Sequence, residues 1–269
     1  MEHLINTDEI LRSTQSTPDP TSGLPDTTDL ADPHKSWSRL NEVKLDPVVL
    51  KRHHVKTVKA SDASAPFDRL RTRMLSHMRA AGHRRVAITS PTSGCGTSTV
   101  VANLALSLAR QDDLRVMVVD FNLRSPSLIQ IFGLQESGPR FSVLAGHRRN
   151  FDSTCLRVGS NLGLSLNATV MDDAAERLAH IKTSALLDHI ERDFAPDIMI
   201  FDLAALSPMD DGIAALSLAD CALLIARTDR STAAEIDISE RMIAENTTCL
   251  GVVLNACRFC DPHSRYADD

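Results

Sequence analysis

Between residues 90 and 99 the chain reads Ser-Pro-Thr-Ser-Gly-Cys-Gly-Thr-Ser-Thr. Gly94 and Gly96 permit a turn that brings backbone N–H groups to an anion at the positive end of a following helix. The β-branched run at residues 86–89 predicts a strand before this turn, and apolar residues at helical spacing over 99–109 predict a helix after it. Strand, glycine turn and helix start together are the context of a Walker A phosphate loop. The loop lacks charge, because Thr97 stands where that motif carries lysine and no Lys or Arg occurs between Thr89 and Arg110. A unit charge against a phosphate is worth up to about 4 kcal/mol at intermediate dielectric, and a neutral hydroxyl hydrogen bond about 1 kcal/mol. The difference of about 2–3 kcal/mol is about a hundredfold in affinity or rate. Phosphoryl transfer suffers more than binding, since charge shifts towards the leaving phosphate in the transition state.

Two carboxylates have the placement to complete such a site. Residues 115–120 (Arg-Val-Met-Val-Val-Asp) and 195–202 (Ala-Pro-Asp-Ile-Met-Ile-Phe-Asp) are buried-strand patterns that end in Asp120 and Asp202. Parallel strands covered on both faces read this way, and their carboxyl ends gather at one edge of the sheet, beside the phosphate loop. Residues 222–226 and 251–255 supply further strands, with helical segments between. The expected fold is an α/β, P-loop NTPase-like, mostly parallel open sheet with helices on both faces.

The rest of the chain must carry this core. At 269 residues, 43% of them hydrophobic, it has material for one sizeable core. Five of the twelve prolines fall in the first 47 residues among many Ser, Thr and Asp, so residues 1 to about 35 read as disordered. Trp37, Leu40, Val43 and Leu45 interrupt that composition and are candidates to anchor the arm. The expected divisions are a disordered or anchoring arm over 1–45, a P-loop domain over 46–260 and a flexible tail over 261–269. A net charge of −6 argues against nucleic acid as a partner. The basic run Lys51, Arg52, His53, His54, Lys56 and Lys59 is either a solvated segment or a contact for an anionic membrane surface. No apolar run is long enough to span a bilayer and no signal-peptide core is evident, so a cytoplasmic chain is expected, peripheral at the inner face of the membrane if that basic run is used. The six cysteines read as reduced thiols, and Cys257 with Cys260 lacks the second pair that zinc binding needs.

From Ser64 to Asn255, about 70% of the chain, the sequence resembles the bacterial tyrosine kinases (BY-kinases) of capsule and exopolysaccharide synthesis, relatives of the partition and septum-positioning ATPases. The matching pieces are Phe-Asp-Arg-Leu-Arg-Thr-Arg at 67–73, the loop at 90–99, and Asp-Phe-Asn-Leu-Arg-Ser-Pro-Ser-Leu at 120–128, which is similar to the family's second Walker motif. Phe-Asp-Leu-Ala-Ala at 201–205 and the strand at 251–255 complete the series. The resemblance implies ATP and Mg²⁺ as ligands. It implies that backbone groups of Gly94, Cys95, Gly96, Thr97 and Ser98, with Thr99 behind them, hold phosphates. Ser98, Asp120 and Asp202 take metal positions, Asp120 and Asp202 with Asn122 the catalytic ones, and Asn255 the adenine edge. It implies a membrane-embedded polysaccharide co-polymerase or chain-length protein as partner, and a homo-oligomer.

The departures cluster at the chemistry. Besides Thr97, Asn122 replaces the second acid of an Asp-x-Asp pattern, and an amide neither accepts a proton nor adds charge for a metal. Ala204 and Ala205 replace a proline pair. On the helix face used for ring assembly, Ala65, Asp68 and Arg71, only the arginine matches, and Tyr266 is the chain's single tyrosine, which excludes a phosphorylated cluster. Three readings follow. The first is a degenerate, pseudokinase-like nucleotide-binding protein that regulates exopolysaccharide or capsule polymerisation or export, with Arg124 as a candidate substitute for the lost lysine. The second is an active, ATP-dependent, non-specific protein-tyrosine kinase. The third is a partition-type ATPase, against which Thr92 occupies the place of those proteins' second lysine.

Overall fold

The computed structural model describes residues 32–134, 151–206 and 211–257. In chain order these form α1 (Pro33–Arg39), β1 (Asn41–Glu42), α2 (Pro47–Arg52), α3 (Ala65–Ala81), β2 (Arg85–Thr89), α4 (Thr97–Ala109), β3 (Val116–Asp120), α5 (Leu128–Ile131) and α6 (Phe151–Thr154). There follow β4 (Leu156–Val158), β5 (Leu162–Ser165), α7 (Ala174–Ala179), α8 (Ile181–Phe194), β6 (Ile198–Asp202), α9 (Asp211–Leu216), β7 (Cys221–Arg227), α10 (Ala233–Asn246) and β8 (Thr248–Asn255).

The sheet order is β1-β4-β5-β3-β6-β2-β7-β8. All pairings are parallel except β4 with β5, so the outermost pair β1–β4 runs against the rest. Strands β3 and β6 are buried throughout, as their unbroken apolar runs require of strands covered on both faces. The chain passes from β2 through α4 to β3 across β6, which puts the turn after β2 at a crossover, where open α/β sheets bind ligands.

Each face of the sheet has its own core. On one, α4 is almost wholly buried between the sheet and α3, with Val101, Leu104, Ala105 and Leu108 inaccessible and Met74 and Met78 packed above. A helix so apolar on all sides is stable only when covered all round. Asp68 of α3 ties the two helices, accepting from Arg110 Nη2 at 2.5 Å and from Ser107 Oγ at 2.5 Å, while Arg71 donates to the Ser107 carbonyl at 2.9 Å. The other face holds Phe121, Phe194 and Phe201, with the Phe121 and Phe201 rings 5.1 Å apart.

Trp37 belongs to this second core. It is 3% exposed, and its Nε1 donates to the Phe194 carbonyl at 2.6 Å. Asp32 caps α1, and Asn41 pairs with Leu156, so part of the stretch read as an arm is built into the sheet layer. The physical reason is Trp37 itself, a large apolar body whose one polar group has found a partner. Residues 1–31, the expected disordered segment, lie outside the described residues, as do Cys260, Tyr266 and the whole 261–269 tail. Lys51, Arg52, Lys56 and Lys59 are exposed. Among the described residues no helix is long and apolar enough to cross a membrane.

Candidate nucleotide site

The turn between β2 and α4 has the backbone of an anion cradle. Gly94 and Gly96 adopt φ of +80° and +86°, left-handed values that glycine accepts without a side-chain clash. Gly96 is the N-cap of α4, and no side chain caps that end. The first N–H groups of α4, beginning at Thr97 and Ser98, are thus left for a ligand. Neighbours fix the loop's shape: Ser90 Oγ donates to the Thr92 carbonyl at 2.9 Å, and the Leu206 N–H donates to the Ser90 carbonyl at 2.9 Å. Cys95 is buried, with its thiol 3.1 Å from the Thr92 carbonyl, so only its backbone faces the cradle. Thr99 stands in the same first turn of α4, its carbonyl taken by Asn103 Nδ2 at 2.8 Å.

Beside the loop lie the two expected carboxylates. Asp120 ends β3 and Asp202 ends β6, the two are register partners, and both are fully buried. Asp120 Oδ1 accepts from the Asn122 N–H at 3.1 Å, but among the described residues Asp120 Oδ2 and both oxygens of Asp202 have no hydrogen-bond partner. Burial pushes Asp202 up to about 7, with Ser98 close enough to ease the charged form although no bond of ordinary geometry links them. Asp120 is raised well above the usual carboxylate range, by burial and then by the charge of Asp202, against a smaller pull from the backbone N–H groups of Asn122 and Asn167. Three orphaned carboxylate oxygens in a buried site call for an explanation. They fit a hard, oxygen-seeking cation held by one or two carboxylates, a hydroxyl such as that of Ser98, and ligand phosphates, which is the way Mg²⁺ is usually bound. Among the described residues no group of three or more His, Cys, Asp or Glu is placed to hold a metal, so any cation here would depend on non-protein oxygens for the rest of its shell.

The expectation for Arg124 is corrected by the structure. Its Nε and Nη2 are engaged by Asp211, a buried carboxylate at the start of α9, the latter at 3.3 Å. A buried carboxylate needs a cation, and Arg124 is already committed as that partner. Asn255 is also engaged within the protein: Nδ2 donates to the Cys95 carbonyl at 2.8 Å and Oδ1 accepts from the Ala256 N–H at 2.9 Å. It clamps the loop. On the α3 face, Asp68 and Arg71 are turned inward onto α4 by the bonds described above, so that face offers them to the protein's own helix.

Sequence reasoning missed two arginines. Arg227, the last residue of β7, donates from Nη1 to the Gly94 carbonyl at 3.2 Å while its Nε pairs with Asp229 at 2.7 Å. Arg230 lies so close to Gly94 that a β-carbon there would collide with its guanidinium. Both stand more than 130 positions from Gly94 in sequence, and a search for cations inside the motif passes over them. A cleft of about 650 Å³, lined by His34, Trp37, Asp112, Asp113, Arg115 and Asp197 among others, opens at the opposite edge of the sheet, but its acids are exposed. The orphaned carboxylates locate the site, and cleft size does not.

No family model matches the chain. EpsB of Ralstonia solanacearum, named as a tyrosine-protein kinase, is 29% identical over 188 residues, which is 70% of this chain and 25% of EpsB. The tyrosine-protein kinase YwqD of Bacillus subtilis is 26% identical over 186 residues, 68% of this chain and 76% of YwqD. The kinase domain of the Escherichia coli tyrosine kinase ETK superposes with a TM-score of 0.63 at 20% identity, over 78% of this chain and 82% of that domain. The chain is thus similar in sequence to bacterial tyrosine-protein kinases and shares the fold of their kinase domains. It spans about a quarter of the length of the Ralstonia relative and about three quarters of the Bacillus one. A more distant neighbour, the septum site-determining protein MinD of Pyrococcus horikoshii complexed with Mg-ADP, has a TM-score of 0.51 at 18% identity over 64% of this chain and 69% of that one. Within this P-loop NTPase-like fold, the loop, Ser98, Asp120 and Asp202 stand together at the carboxyl edge of the sheet.

Proposed function

We propose that this protein binds ATP with Mg²⁺ weakly, transfers phosphate poorly or not at all, and acts as a nucleotide-responsive regulator of exopolysaccharide or capsule polymerisation or export. The observation that carries this reading is the pairing of a loop that keeps its glycines but has threonine for lysine with two buried carboxylates whose oxygens lack partners. Ser98, Asp120 and Asp202 would hold the cation, and backbone N–H groups from Gly94 to Ser98 the phosphates. When bound, Mg²⁺ supplies the charge that draws electrons from a phosphoryl group. Asn122 offers no base, and Thr97 offers one neutral hydrogen bond in place of a charge. The partner that fits this role is a membrane-embedded polysaccharide co-polymerase or chain-length protein, met at the inner face of the membrane with the exposed lysines and arginine at 51–59 nearby. Oligomerisation through the α3 face is disfavoured, because Asp68 and Arg71 are spent internally.

Titration of the protein with Mg²⁺-ATP by calorimetry, beside Thr97→Lys, tests the proposal. Binding in the range of about 10 μM to 1 mM, tightened by lysine, supports it; absence of binding up to millimolar nucleotide rejects a nucleotide role. A second reading, an active tyrosine kinase, draws support from the retained register of Asp120 with Asp202. It requires phosphate transfer from ATP to a tyrosine-containing polypeptide that Asp202→Ala abolishes.

A further inference from the structure

The lost lysine leaves the phosphate loop without a cation of its own, and the fold brings two from elsewhere. Arg227 and Arg230 lie on the turn from β7 to α10, which packs directly on the loop. Ser231 Oγ stands 3.5 Å from the Cys95 thiol and accepts the Arg227 N–H at 3.0 Å, so the turn and the loop form one unit. The two arginines are not equivalent. Arg227 is largely neutralised by Asp229, with contacts of 2.7 and 3.3 Å, and spends Nη1 on the Gly94 carbonyl. It holds the loop's shape.

Arg230 is exposed, and among the described residues its side chain has no ion-pair or hydrogen-bond partner. Its guanidinium nevertheless lies against Gly94, on the side where a β-carbon would project. We infer that Arg230 is the phosphate-binding cation of this site, supplied in trans to the loop by the β7–α10 turn in place of the lysine that Thr97 replaces. A guanidinium presents a planar fork of donors suited to two oxygens of one phosphate, and it stays charged at any physiological pH. An unpaired arginine held over a glycine whose missing side chain makes room for it is poised for an anion. The orphaned oxygens of Asp202 and Asp120 across the site provide the second, independent sign that a ligand belongs here.

This inference rests on the nucleotide-binding reading above and extends it by naming the charge that makes binding workable. It also sets a limit: a cation that reaches over the loop from outside can hold phosphate without occupying the lysine's place between the β- and γ-phosphates, so affinity is restored further than turnover.

The test is a double-mutant cycle read by calorimetry with Mg²⁺-ATP, with tripolyphosphate as a probe of the phosphate contacts alone. Arg230→Gln should weaken both ligands about tenfold or more, Arg230→Lys should keep most of the affinity, and Arg241→Ala, which removes one exposed charge from the far part of α10, should leave it unchanged. If Arg230 stands in for the lysine, Thr97→Lys gains less affinity in the wild-type background than in Arg230→Gln, where the phosphates have no other cation. Wild-type affinity in Arg230→Gln for both ligands overturns the inference and leaves the nucleotide reading standing. Loss to the same extent in Arg230→Lys also overturns it, since that result means packing and not charge. Failure of the wild-type protein to bind either ligand overturns both.

Discussion

Asp68 and Asp202 are both carboxylates drawn into the protein beside α4, and the structure treats them in opposite ways. Asp68 lies near the carboxyl-terminal end of that helix and accepts from Arg110, Ser107 and Ser64, at 2.5, 2.5 and 2.9 Å. Partial burial pushes its carboxyl up, but the Arg110, Ser107 and Ser64 hydrogen bonds and the Arg110 charge outweigh that and hold it at about 2. Asp202 lies at the amino-terminal end, fully buried with neither oxygen bonded among the described residues, and burial raises it to about 7. The first is a finished structural contact. The second costs stability, and it is the acid that the proposed cation would satisfy. The number of partners, and not burial alone, separates a structural acid from a functional one.

The sharpest expected difference is in the pH dependence of stability. For Asp202 the folded state holds a proton that the unfolded state releases, so without a metal stability falls as pH rises from about 4 to about 7, by an amount on the order of 4 kcal/mol, and the raised Asp120 acts in the same direction. For Asp68 the sign reverses: the folded carboxyl ionises first, and about 2 kcal/mol is present above pH 4 and lost as pH falls towards 2. Denaturant melts across pH 2–8 should show both limbs, and Asp202→Asn should flatten the upper one alone. A protein equally stable at pH 4 and pH 7 without Mg²⁺ would end the contrast.

Side-chain removal comes next. Asp68→Ala leaves Arg110 and Arg71 without their acid and should cost about 2–3 kcal/mol, measured by the urea midpoint at neutral pH. Asp202→Asn should instead raise the midpoint, by about 1–2 kcal/mol, because it removes an unpaired buried charge. The same variant should make ATP affinity insensitive to Mg²⁺; if Mg²⁺ tightens binding as much as in the wild type, Asp202 is no ligand. The smallest expected effect is that of Thr97→Lys, about tenfold in ATP affinity, or about 1.4 kcal/mol. No gain there would mean that the loop's charge is already supplied.

The sequence carried much of the sheet, because β3, β6 and β7 are long apolar runs whose burial on both faces leaves little alternative reading. The glycines at 94 and 96 declared their turn in the same way, since their backbone angles are ones other residues avoid. What escaped was long-range. β1 is two residues, Asn41 and Glu42, too short for any period to show, and it exists because Trp37 anchors the chain beside it. The committed state of Arg124 depended on Asp211, and the presence of Arg227 and Arg230 on the loop depended on how β7 pairs with β2. Spacing within a motif reports local geometry. It carries no information about which distant strand will run alongside.

The hydrogen bond from Asn255 to the Cys95 carbonyl has a mechanical meaning. Asn255 is the last residue of the edge strand β8, where the chain leaves the sheet for its carboxyl-terminal residues, and Cys95 sits at the centre of the loop between two glycines. One bond of 2.8 Å therefore links the proposed phosphate loop to the end of the edge strand. If an anion draws the loop amides inward, the Cys95 carbonyl turns with them and pulls on Asn255, so an occupied loop would be felt as a strain at the far end of β8.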